Sequence, residues 1–377
     1  MLSKNQHAFI SLVRAGLWSK ETNFSPSDEI DFTEVYRIAV EQSVVGLAAA
    51  GIEYMKGAVV LKKDVLKFAG EALRQERINL SMNAFIEVLF KRMRDAGIDA
   101  ILVKGQGIAQ CYEKPLWRAC GDIDLLMNGD DYDKAKQWFG TTGSVVLDEN
   151  KYRKRIEYAV GSWNVELHGT MRGEINERID KVIDDAQAAV FIGGNVRIWE
   201  NNKTAVCLPS ADNDVIFVFT HVLQHFFREG IGLRQICDWC RLLWTYRSSI
   251  DVSLLEKRLR LARIMTEWRA FSAFAVDWLG MPVEAMPLYD SSPKWSRKAE
   301  RIIKYVLEVG NFGHNRDSEY KARSSFAKRM VISFGRRLHD FTIQVRVFPL
   351  DSILAFWGVM KTGFTFVGER LKNGDSC

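Results

Sequence analysis

The spacing of apolar residues changes twice along this chain, and no other feature limits its possible folds as much. Up to about residue 91 apolar side chains recur every three or four positions, as in DFTEVYRIAVEQSVVGLAAAGIEYM and LKKDVLKFAGEALRQERINLSMNAFIEVLFKRMRDAG, which predicts helices. From IDAILV at 98–103 the period becomes two. It runs through GDIDLLM (121–127), GSVVLDE (143–149), YRKRIEYAV (152–160), WNVELHG (163–169) and NVRIWE (195–200), which predicts strands. Two helical patterns, DDYDKAKQWF and NERIDKVIDDAQAAVFI, separate some of them, and after about Ala205 the helical period returns and persists. The expected architecture is α+β. A small mixed β-sheet core over 92–210 is flanked by a helical N-terminal region, 1–91, and a helical C-terminal domain, 211–377.

Composition excludes several classes. With 47% hydrophobic and 26% charged residues, the chain is neither disordered nor fibrous. No stretch reaches the ~18 uninterrupted apolar residues of a spanning helix. Val347–Met360 comes nearest and is interrupted by Asp351, so no transmembrane segment is expected. The opening MLSKNQHAFISLVRAGLW has no apolar core followed by a small-residue cleavage site, and the six cysteines are scattered, so reduced thiols and a cytoplasmic location are expected. Charge is uneven. Residues 294–346 hold thirteen Lys/Arg against five Asp/Glu in a chain of net charge +5. That segment is either a solvated helix surface or a contact for a polyanion.

The stretch with most chemistry is Gly121-Asp122-Ile123-Asp124-Leu125-Leu126-Met127. In a strand its two carboxylates share one face and Ile123, Leu125 and Met127 share the other. Adjacent like charges repel, and a divalent cation between them removes the repulsion. Hard oxygen ligands favour Mg²⁺, which keeps open positions for substrate phosphates. The plainer alternative is an edge strand with a polar solvent face. Upstream, a strand ends at Lys104-Gly105-Gln106-Gly107 and opens a helix, a corner where backbone and an ammonium can approach an anion. Downstream, Glu166 and His168 share a face of WNVELH, so a third carboxylate is available from another strand.

VKGQGIAQCYEKPLWRACGDIDLLM followed by VELHG resembles the uncharacterised nucleotidyltransferase family of the polymerase-beta-type nucleotidyltransferase superfamily. The resemblance is close over about residues 98–170, with a looser echo at FTHVLQHFFREGIGLRQICDWCRLL. It implies a metal site of Asp122, Asp124 and Glu166 holding Mg²⁺ or Mn²⁺, these three being the catalytic residues. It also implies a nucleoside triphosphate substrate whose phosphates meet the corner at Gly105 and Gln106. In place of the superfamily's usual Gly-Ser or Gly-Gly, the corner here is Gly-Gln, whose side-chain amide can also donate to phosphate. Lys104 adds a cation there. Arg118 is a candidate phosphate clamp, and His168 a candidate to orient the acid or touch substrate. The expected activity is transfer of a nucleotidyl group to an acceptor hydroxyl on a protein, an RNA, a sugar or a small molecule. The alternative is an inactive module that binds a nucleotide or polyanion with the same fold.

Two other sites compete. His221-x3-His225 with Cys237-x2-Cys240 has the inventory of a zinc site. Its positions also match core-facing helical residues, and no tight turn surrounds the cysteines. Cys-Asp-Trp-Cys as a redox pair lacks a preceding strand. No nucleophilic triad or dinucleotide fingerprint is present.

Overall fold

The computed structural model describes residues 2–25, 29–57, 60–151, 154–173, 175–311, 326–358 and 360. Helices α1 (Lys4–Trp18), α2 (Phe32–Glu41) and α3 (Val45–Glu53) open the chain, joined by a short parallel pair, β1 (Thr22–Asn23) and β2 (Met55–Lys56). Local chemistry sets their starts. Ser3 and Gln6 form a reciprocal capping box, and Asp31 accepts from the backbone N–H groups of Thr33 and Glu34. Helices α1 and α3 touch backbone to backbone through Gly16 and Gly51, where a Cβ would lie 2.0 Å from the carbonyl oxygens of Leu47 and Leu12 respectively.

Helix α4 (Lys62–Asp95) links two hydrophobic cores. Phe68 and Ala72 belong to the larger, mostly helical one, whereas Met82, Ile86, Leu89, Phe90 and Met93 lie under the sheet. Residue 92 thus falls inside α4.

Five strands make the main sheet: β3 (Ile101–Val103), β4 (Asp122–Leu126), β5 (Val145–Asn150), β6 (Arg155–Val160) and β7 (Trp163–His168). Their spatial order is β3-β4-β7-β6-β5, with β4 and β7 parallel and every other pair antiparallel. The sheet is mixed, and the whole chain is α+β. Helix α5 (Gly105–Ala109) follows β3, and α6 (Gly129–Thr141), capped by Asn128, follows β4. Strand parity gives the sheet two unlike faces. Leu102, Ile123, Leu125, Ile156, Tyr158, Val165 and Leu167 pack on α4 and α6. The opposite face is divided: Ile101, Val103 and Leu126 join the helical core, while Asp122, Asp124, Glu166 and His168 stand beside them.

Beyond α7 (Glu177–Phe191) comes a hairpin, β8 (Val196–Asn201) and β9 (Thr204–Pro209). Strand β9 corrects the expected return of helix at about Ala205. Asn202 turns the chain at φ +53, and Thr204, Val206 and Leu208 are buried in alternation, the last two within the sheet's core. The period-two signal was present but only six residues long. Ser210 then precedes α8 (Ala211–Gln224), which runs on into a π turn over His225–Glu229. Helices α9 (Leu233–Thr245), α10 (Val252–Ala262), α11 (Met265–Asp277) and α12 (Pro293–Val309) build the large core around Trp239, Trp268 and Phe271. A further helix spans Phe326–Gln344. Among the described residues no helix is long and apolar enough to cross a membrane.

Candidate functional site

The parallel pairing of β4 with β7 sets the site. Asp122 stands opposite Asn164, Asp124 opposite Glu166 and Leu126 opposite His168, so Asp124 is level with an acid of the next strand. Below them the apolar parity of both strands is locked in the core, which fixes which side the carboxylates take. Above them is a cleft of 390 Å³ between the sheet and helices α8 and α9.

Asp124 is the central residue, only 4% exposed. Its Oδ1 takes the Lys104 ammonium at 3.1 Å and the His168 Nε2 at 2.8 Å. Burial alone would raise its pKa, but Lys104 and His168 outweigh burial and hold the carboxyl well below the usual range. Asp122, at the cleft rim, is pushed the other way, first by the charge of Asp124 and then by desolvation. Lys104 is itself desolvated, yet the combined field of Asp124, Glu166 and Asp122 keeps its pKa above the ordinary lysine value. Lys104 also sits at φ +56 and ψ −143, a conformation rarely taken by any residue but glycine. The corner is bent to deliver an ammonium to Asp124.

Glu166 accepts from Arg155 Nη1 at 2.8 Å, and its Oε1 lies 3.8 Å from His168 Nε2. Ligand atoms of Asp124, Glu166 and His168 lie within 4.8 Å of one another, the one such group of three or more among the described residues. The two carboxylates are hard oxygen ligands of the kind that suit Mg²⁺ or Mn²⁺, while the imidazole is engaged with Asp124. Asp122 precedes them on the same face and adds charge.

The remaining sequence candidates fare differently. Gly105, at φ +38, lines the cleft, and no side chain caps α5. Gln106 does not turn its amide to the cleft. Its Nε2 donates to Asn79 Oδ1 at 2.7 Å in the core beside α4, which corrects the expectation of a phosphate-donating amide. Arg118 reaches the cleft wall, but its fork is spent on Asp238, Nε to Oδ1 at 3.0 Å and Nη2 to Oδ2 at 2.6 Å, with Tyr112 donating to the same carboxylate. This buried pair ties the sheet's approach loop to α9 and leaves no free fork for a phosphate clamp.

Of the zinc candidates, His221 and His225 line the cleft with Nε2 atoms 3.0 Å apart, whereas Cys237 and Cys240 are fully buried in the helical core. The four do not converge. In the basic segment, Lys298 and Arg301 donate to the carbonyls of Val347 and Arg346 and so tie α12 to the later chain, while Lys304 pairs with Glu300 on the helix surface. Residues 312–325 of that segment lie outside the described residues. Reading the sequence missed Arg155, Arg234 and Asp238 as cleft residues. Asp238 lies between two cysteines in the Cys-Asp-Trp-Cys stretch, and nothing in that local pattern marks it as a partner of Arg118.

Residues 28–280 match the family model described as uncharacterised nucleotidyltransferase. The chain belongs to that family. The stretch covers α2 through α11, so it includes both walls of the cleft. Among solved structures, the crystal structure of an antigenic nucleotidyltransferase-like protein from Paracoccidioides brasiliensis is similar at 12% identity, with 53% of this chain and 93% of that one covered and a TM-score of 0.32. Comparison with curated proteins gives no match.

Proposed function

We propose that this nucleotidyltransferase-family chain moves a nucleotidyl group from a nucleoside triphosphate to an acceptor hydroxyl, with Mg²⁺ or Mn²⁺ held by Asp122, Asp124 and Glu166. The observation that carries this reading is the register of Asp124 against Glu166 on parallel strands at the cleft floor, with Asp122 on the same face. Bound there, a divalent cation would neutralise phosphate charge and make the acceptor hydroxyl more acidic. The protein's own groups prepare the place. Lys104 and His168 keep Asp124 ionised and fix its orientation, and a hydrogen bond from Arg155 orients Glu166. Helices α8 and α9 close the cleft over the sheet, limiting water around the phosphates. The acceptor is a protein, an RNA, a sugar or a small molecule.

A second reading has its own support. Lys104 and His168 already occupy Asp124, so the charge that a metal would balance is partly balanced internally. On that reading the chain binds a nucleotide or polyanion without transfer. Incubation with each labelled nucleoside triphosphate and Mg²⁺ or Mn²⁺ separates the two. Pyrophosphate release, with label moved to the protein or to a component of cell extract, supports transfer; metal-independent binding with no release supports the module.

A further inference from the structure

Among the described residues four arginines reach the cleft: Arg118, Arg155, Arg172 and Arg234. Three of them face acids. Arg118 lies on Asp238, Arg155 on Glu166 and Asp148, and Arg172 on Asp184. Arg234, at the second position of α9, has no carboxylate partner among the described residues. Its side chain makes one hydrogen bond, from Nη1 to the Ala119 carbonyl at 2.9 Å, and its Nε is closed off from water without an acceptor. The fork is therefore largely unspent, and its charge reaches the rim of the sheet, where it acts on Asp122.

A half-buried guanidinium with unused donors and no carboxylate in direct contact gains charge-assisted hydrogen bonds when an oxyanion arrives. Alternatives nearby are already committed: Lys104 to Asp124, Arg118 to Asp238, and the Gln106 amide to Asn79. We infer that Arg234 is the group that grips the polyphosphate of the incoming nucleotide, and that Arg118 serves the fold. This rests on the nucleotidyl-transfer reading. Because Arg234 rides on α9 and the carboxylates on β4 and β7, a bound polyphosphate would join the helical wall to the sheet wall. The planar fork matters as well as the charge, since it can meet two oxygens of one phosphate.

The test uses inorganic tripolyphosphate and the full chain in the presence of EDTA, with affinity read by titration calorimetry. Arg234→Ala is expected to weaken binding about tenfold or more, the loss of a charge-assisted hydrogen bond or two. Arg234→Lys, which keeps the charge without the fork, should fall between Ala and the parent. Thermal unfolding checks that each variant is folded. Tripolyphosphate affinity in folded Arg234→Ala equal to that of the parent overturns the inference, as does a parent that binds no tripolyphosphate. If the Ala variant fails to fold, Arg234→Lys carries the test: a several-fold loss supports the inference, and parental affinity overturns it. Pyrophosphate release by the parent judges the transfer reading separately. An Arg234-dependent affinity without release from any nucleotide would remove transfer and keep the anion site.

Discussion

Two buried carboxyl groups, one in the sheet and one among the helices, are held in opposite states. Asp124, under the cleft, is kept ionised because an ammonium and an imidazole converge on it. Glu267 on α11 is equally hidden at 3% exposure, but its neighbour is another acid, Asp351. Burial first and Asp351 second push its pKa up to about 8. Depth alone does not decide charge; partners do. The ionised acid is ready for a cation, while the protonated one can donate a hydrogen bond to Asp351 and so fasten the later chain to α11.

The largest expected effect tests whether the sheet half stands apart from the helices at all. A fragment of residues 92–210 lacks Met82, Ile86, Leu89 and Phe90, which cover the sheet's apolar face. It should not unfold cooperatively and should aggregate, whereas a fragment starting at residue 62 should be better behaved. Equal cooperative melting of both fragments, followed by circular dichroism, would show that α4 is dispensable to the sheet.

Next in size is Asp124→Asn, which removes the charge that Lys104 and His168 hold in place. Transfer should fall by at least about 10²-fold, since charge stabilisation of a transferring phosphoryl group is worth several kcal/mol. Parental pyrophosphate release from the variant would detach chemistry from this acid. Arg118→Ala leaves Asp238 buried without its cation, at a cost of roughly 3–5 kcal/mol of stability. Urea denaturation measures it, and a loss below about 1 kcal/mol, the range of exposed ion pairs, would mean that Asp238 finds water instead.

The smallest effect belongs to Glu267→Gln. In the folded protein Glu267 holds its proton to about pH 8, whereas in the unfolded chain it loses it near 4.5, so between those values the native state binds more protons. Stability contributed there is complete below about pH 4.5 and declines as pH rises towards 8. The glutamine variant should lose this slope, so that its stability in urea relative to the parent rises steadily between pH 4.5 and 8. An unchanged slope would make Glu267 ionised in the native state, like Asp124.

Much of this was legible in advance, for reasons that lie in particular residues. Five of the six expected strands reappear in the main sheet and the sixth in the hairpin, because alternation in GDIDLL or WNVELH is local information. Parity also placed Asp122 with Asp124, and Glu166 with His168. What sequence could not carry was pairing over distance. Arg118 finds Asp238 across 120 positions, and Gln106 finds Asn79 in a helix that passes behind the corner. Either side chain, read beside its neighbours alone, suggested a phosphate contact. Strand β9 was missed because six residues of alternation between an Asn turn and a helix look like the start of that helix.

The parallel registration of β4 and β7 makes the site a faithful reporter of assembly. A slip of β7 by one residue against β4 would carry Leu167 up into the cleft and turn Glu166 down into the apolar core beneath the sheet, leaving Asp124 without its level partner. No other register keeps the two acids level on one face. Molecules in a heterogeneous preparation should therefore be either fully competent or inert, and titration with a tight phosphate ligand would count the correctly folded ones directly.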